Sequence, residues 1–167
     1  DGFLREVSYP AAYDDSISDL WYLYAIASKN LDSPKGNILS YVKTSLEKNN
    51  WVEYNKDNAR LLYADLLCDT TSYNEVFDLL DASPMIYSSD AEIIRVKAFY
   101  RQNTSESIQK AREKIDVARR IFPSDYRFPL AFFTFENPET NDDLFIKLRD
   151  YFLSQSKNYE NNEKLYI

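Results

Sequence analysis

An all-α fold is predicted by three observations. Only two glycines occur in 167 residues, so few positions reach left-handed backbone geometry cheaply, which weighs against a turn-dense β fold. Apolar residues recur three and four apart through most of the chain, the period of a helix face. These stretches are separated by short breaks such as Asn49-Asn50 and Asn103-Thr104, the pattern of antiparallel helical hairpins. Hydrophobic residues at 44% and aromatics at 16% are too abundant for a disordered chain. The length suits one domain, residues 1–167, with a core of its own.

Residues 1–14 show no clear period and are interrupted by Pro10. Asp15–Asn30 reads as a helix with Leu20, Tyr24 and Ala27 along one face, beside Trp21 and Ala25. Ser33-Pro34 resembles an N-cap followed by proline at the first helical position. The helix it opens runs to about Lys48, with Ile38, Leu39, Val42 and Leu46 inward. Asp57 caps a helix through Asp69 whose apolar face holds Leu61, Leu62, Ala64 and Leu66. Ser72 with Glu75 forms a capping box, and the short helix beyond carries Val76, Phe77, Leu79 and Leu80 before Pro84. Ser89 with Glu92 is a second box, opening Asp90–Arg101. Asn103-Thr104 starts the next helix, which Pro123 ends at Phe122. Tyr126–Phe135 is aromatic-heavy, with Pro129 tolerable in its first turn. Asn137-Pro138 stops it, and Asn141 or Asp142 opens a last helix through about Ser156.

A register runs through these hairpins. Ala64 and Ala98 are 34 residues apart, and Ala59/Ile93, Leu62/Val96 and Leu66/Tyr100 keep that offset. A further step of 34 reaches Leu130 from Val96 and Thr134 from Tyr100. A hairpin cannot bury both of its faces alone, so repeated hairpins stack.

Within Ser105–Pro123, residues Ala111, Ile115, Ala118 and Pro123 supply a small, a bulky and a small residue and then a proline. That helix resembles the second helix of a tetratricopeptide repeat, a family whose period is also 34 residues. The resemblance covers roughly residues 57–156 and more loosely 15–48, as hairpins at about 15–48, 57–83, 89–123 and 125–156. The repeats are degenerate, since Phe132 or Phe133 stands where a small residue is expected. The resemblance implies a right-handed superhelical stack whose first helices line a concave face. With Ala25, Ala64 and Ala98 at the crossings, that face would hold Tyr22, Ile26, Leu61, Asp65, Arg95 and Phe99, joined by Tyr126 and Phe133. Family members that grip a C-terminal carboxylate use lysine and asparagine there. Leu61, Asp65, Arg95 and Phe99 replace such a clamp, so the implied groove suits an apolar or aromatic peptide segment. The aromatic stripe has a plainer reading as core, or as a groove filled by Leu165-Tyr166-Ile167.

Charge and composition narrow the remaining classes. A net charge of −7 and a pI near 4.7 repel phosphate backbones, so nucleic acid is not expected as a partner. With no histidine, the usual general base and the common zinc ligand are both missing. Cys68 reads as a half-buried thiol. Asp14-Asp15 and Asp142-Asp143 suit helix starts, and Asp65 with Asp69 offers too few oxygens for calcium. Neither a metal nor a cofactor is therefore expected. No apolar run approaches the ~18 residues of a membrane span. The basic run Lys110, Arg112, Lys114, Arg119 and Arg120 reads as a solvated convex face, with an acidic partner as the second reading. The expectation is a non-enzymatic protein–protein interaction scaffold. The alternative is an accessory helical domain of a larger enzyme or transporter subunit, to which the Asp1 start points as an excised or processed product.

Overall fold

A computed structural model describes residues 14–82 and 88–136, with 146, 149–151, 153 and 154. Every regular element among them is a helix. In order these are α1 (Ser18–Asn30), α2 (Lys35–Lys48), α3 (Lys56–Leu67), α4 (Tyr73–Asp81), α5 (Ser89–Gln102), α6 (Ser105–Ile121) and α7 (Arg127–Glu136). The predicted helix at 141–156 is helical at Ile146, Arg149–Tyr151, Leu153 and Ser154. Its remaining residues, Pro84, Asn137-Pro138, residues 1–13 and the Leu165-Tyr166-Ile167 tail lie outside the described residues.

The chain forms two compact units, Asp1–Ile86 and Tyr87–Ile167. In the first, α2 packs on α1 and α3, and α3 on α4; in the second, α6 packs on α5 and α7. Small residues are prominent among the buried positions of these helices. Ala25, Ala59, Ala64, Ala91, Ala98 and Ala111 are fully buried, and Ala118 is 2% exposed. Larger buried side chains are Val42, Val76 and Leu80 in the first unit and Val96, Ile115 and Phe128 in the second.

Helix ends depart from the sequence expectation where a side chain finds a better partner. At α2 the extended Pro34 (ψ 130°) itself occupies the cap position, and Ser33 makes no cap. Asn55 caps α3 by accepting from the Asp57 amide at 2.8 Å, so Asp57 lies inside the helix and meets Arg60 at 3.4 Å. Ser72 makes no side-chain cap bond, and Glu75 instead accepts from the Tyr63 hydroxyl at 3.2 Å. At α5 the cap is Ser88, accepting from Ala91 at 3.1 Å, while Glu92 turns to Arg95 and Lys114. Thr104 and Ser107 form a full capping box on α6, which ends one residue before Phe122. Asn49 and Asn103 close α2 and α5 at φ 52° and 53°, a left-handed position that asparagine tolerates.

Burial follows the register of 34 only in part. Ala64 and Ala98 are both buried, as an offset of 34 requires, but Leu66 is 6% exposed and its counterpart Tyr100 is 39% exposed. An offset of 32 pairs Ala59 with Ala91, Arg60 with Glu92, Ala64 with Val96 and Leu66 with Ala98, all buried, but sets the exposed Tyr100 against the fully buried Cys68. Composition alone cannot separate these offsets, because alanine, valine and leucine all serve on a packed face. Cys68 is fully buried rather than half-buried.

Candidate functional site

The residues expected on a concave face come from both units. In the first unit, Tyr22 is no open wall. It is 8% exposed, with its ring edge-on to Trp51 at 6.2 Å and to Tyr54 at 5.6 Å. Burial, then the neighbouring Tyr54, pushes its phenol above the ordinary value. The cover over Tyr22 is held by Asp19, whose carboxylate accepts from the backbone amides of Val52, Glu53 and Tyr54 at 2.9, 2.7 and 3.3 Å. Ser18 adds a bond in each direction with Asn50. Asp19 carried no local signal beyond its place in a first helical turn, because its partners lie more than thirty residues away. Ile26 and Leu61 are half-buried. Asp65 pairs with Lys29 at 3.8 Å, and Asp69 with Lys35 at 2.6 Å, so the two carboxylates serve separate ion pairs. Among the described residues no group of three or more histidine, cysteine or acidic side chains could hold a metal ion.

In the second unit, Arg95 bonds Glu92 and its side chain is 11% exposed. Glu92 is itself 4% exposed and also receives Lys114 from α6 at 3.5 Å. Arg95 is thus anchored within α5, with Phe99 half-buried one turn on. Phe133 stacks edge-on against Phe132 at 5.4 Å and Tyr151 at 5.9 Å. Tyr126 lines a depression of about 540 Å³ with Ser89, Asp90, Phe122, Ser124, Asp125 and Arg127.

Arg127 organises that depression. Its guanidinium reaches Asp90 at 2.7 Å, Asp125 at 2.6 Å and Ser89 at 3.2 Å, joining the starts of α5 and α7. Those bonds, Asp125 first, raise the guanidinium further above neutrality. For Asp125, burial pushes the carboxyl upward, but the several bonds and the charge of Arg127 together hold it below the ordinary value. Both groups stay charged at neutral pH, so this pair transfers no proton there. The basic run is solvated at Lys110, Arg112 and Arg120, and several of its members also hold partners. Lys110 pairs with Glu106 at 2.6 Å, Lys114 reaches the buried Glu92, and Arg119 bonds Asp116 at 2.7 Å while lying 4.0 Å over the Phe132 ring.

No family model matches the chain, and no solved structure matches it. The chain is similar to a protein of Treponema pallidum (strain Nichols) described as an uncharacterized protein, 28% identical over 153 residues. That alignment takes in 91% of this chain and 19% of the relative, so the chain spans about a fifth of the length of the relative it matches. No helix among the described residues is long and apolar enough to cross a membrane.

Proposed function

We propose that this chain is a non-enzymatic protein–protein interaction scaffold, a stack of tetratricopeptide-like helical hairpins that takes a peptide segment or a partner subunit. The observation that carries this reading is the burial of Ala25, Ala64, Ala98, Ala111 and Ala118 on packed helices of both units. Small residues at each approach let hairpins nest, and nested hairpins present a long side surface. Ile26, Leu61 and Asp65 in the first unit, and Phe99, Tyr126 and Phe133 in the second, keep partial exposure and are the candidate contact residues of each. Tyr22 and Arg95 are each engaged within their own unit and stand outside those contact residues.

Panning a displayed random peptide library against the full 167-residue chain, in parallel with Phe99→Ala, tests the reading. Aromatic peptides should be enriched on the wild type and lost on the variant, with both proteins melting alike. Enrichment that ignores Phe99, or none at all, would overturn it.

A second reading is an accessory helical domain within a larger enzyme or transporter subunit. It is favoured by the 19% share of the relative that the chain covers. In that case the same surface docks against another part of the whole protein.

A further inference from the structure

A second cavity lies on the outer side of α6. It measures about 320 Å³ and is lined by Asp116, Arg119, Arg120 and Tyr151. The two guanidiniums are each held from one side. Arg119 has its plane on Phe132 at 4.0 Å and one nitrogen on Asp116 at 2.7 Å. Arg120 donates from Nε to the Asp116 carbonyl at 3.0 Å, and among the described residues its Nη1 and Nη2 take no protein partner. An arginine fixed through its Nε edge, with its two terminal nitrogens open, is preorganised for a bidentate anion.

Basic residues in the last turn of a helix also answer its dipole, and that accounts for their sign. It does not account for a cavity between them or for the ring that orients Arg119. Among the described residues lining the cavity, two guanidiniums face one carboxylate, Asp116, a net of one positive charge, in a chain whose net charge is −7. One positive charge matches a carboxylate better than a doubly charged phosphate. Val117, one turn before Arg120 on α6, and Ile121 beside it are 42% and 45% exposed, an apolar strip next to the Arg120 edge of the cavity.

We propose that this cavity receives the carboxylate of a glutamate or aspartate in a polypeptide partner, with a neighbouring apolar residue of that partner on Val117 and Ile121. Phe133, one of the candidate contact residues, touches this site through Phe132 and Tyr151. Arg120 is not among those residues and Phe99 does not line the cavity, so Arg120→Gln and Phe99→Ala test the two readings separately.

The test follows the arginine Nε–H resonances of the full chain, labelled with ¹⁵N-arginine. The probes are an acetylated, amidated Leu-Glu-Leu tripeptide, its Leu-Gln-Leu counterpart and inorganic phosphate. Saturable shifts at Arg119 and Arg120 are expected with the glutamate peptide, at least about tenfold weaker with the glutamine peptide, as loss of a charge-assisted bond implies. Arg120→Gln should weaken the glutamate peptide about tenfold, and because Arg120 is exposed the variant should melt like wild type. Equal binding of both peptides, no saturable shift, or indifference to Arg120→Gln would overturn the site. Phosphate binding more tightly than the glutamate peptide would overturn the carboxylate assignment.

Discussion

Arg60 reaches from α3 to the last turn of α4, where its Nη2 donates to the Leu79 carbonyl oxygen at 2.6 Å. The side chain is 10% exposed and also meets Asp57 through Nη1. A carbonyl near a helix C-terminus has no intrahelical partner, so a buried guanidinium there both satisfies it and fixes the hairpin. Arg60→Met keeps the stem and removes the donor, and it should cost about 1.5–3 kcal/mol in a urea melt. Arg60→Lys should fall between, because an ammonium cannot span Asp57 and Leu79 as a fork does. A methionine variant as stable as wild type would mean that the bond contributes nothing net.

Asp19 makes a parallel prediction for the first hairpin. One carboxylate accepts from consecutive amides at Val52, Glu53 and Tyr54. Asp19→Asn substitutes a donor for one acceptor and should cost about 1–3 kcal/mol. Faster hydrogen exchange at residues 52–54 and red-shifted Trp51 emission would report the loosened cover. Unchanged exchange at those amides would show that Asp19 is not what holds the loop.

What the sequence disclosed and what it hid divide along chain distance. The bounds of α6 and α7 were readable because Thr104, Pro123 and Pro129 act on backbone within a few residues. The buried alanines were readable from spacing alone. The two expected capping boxes are absent: Glu75 takes the Tyr63 hydroxyl on another helix, and at α5 the cap falls one residue earlier, on Ser88, while Glu92 pairs with Arg95 and Lys114. Tyr22 looked like an exposed wall because its cover, Trp51 and Tyr54, arrives from a loop about thirty residues on. Of the candidate site, the helix faces were legible, but the ion clusters at Arg127 and Arg119 were not. Both depend on which helix ends the fold brings together.

The close helix approaches can be tested by filling them. Ala111 is fully buried and Ala118 is 2% exposed, so neither has room for added atoms. Ala118→Trp should destabilise by about 1–3 kcal/mol or more through overpacking, and Ala111→Glu should do worse by burying a charge without a partner. Val117→Ala, on the exposed side of the same helix, should change stability by no more than about 0.5 kcal/mol. Thermal melts of the three variants measure the contrast. If the alanine variants behave like Val117→Ala, α6 does not approach its neighbours closely at those positions.

Acid should loosen the second unit through Asp125. Burial raises its pKa, the Arg127 bonds and charge lower it more, and the folded value lies below the ordinary 3.8. A carboxylate depressed in the folded state contributes stability that is present above its unfolded pKa and lost as pH falls through the folded value. Asp125→Asn removes that contribution at every pH. The variant should therefore be less stable than wild type at pH 7, and the gap should hold down to about pH 4, near the unfolded pKa, before narrowing below it. Urea melts from pH 7 to pH 2 follow the difference directly. A gap that stays constant to pH 2 would assign the loss to packing at Asp125, and the ion pair with Arg127 would then have no part in the acid response.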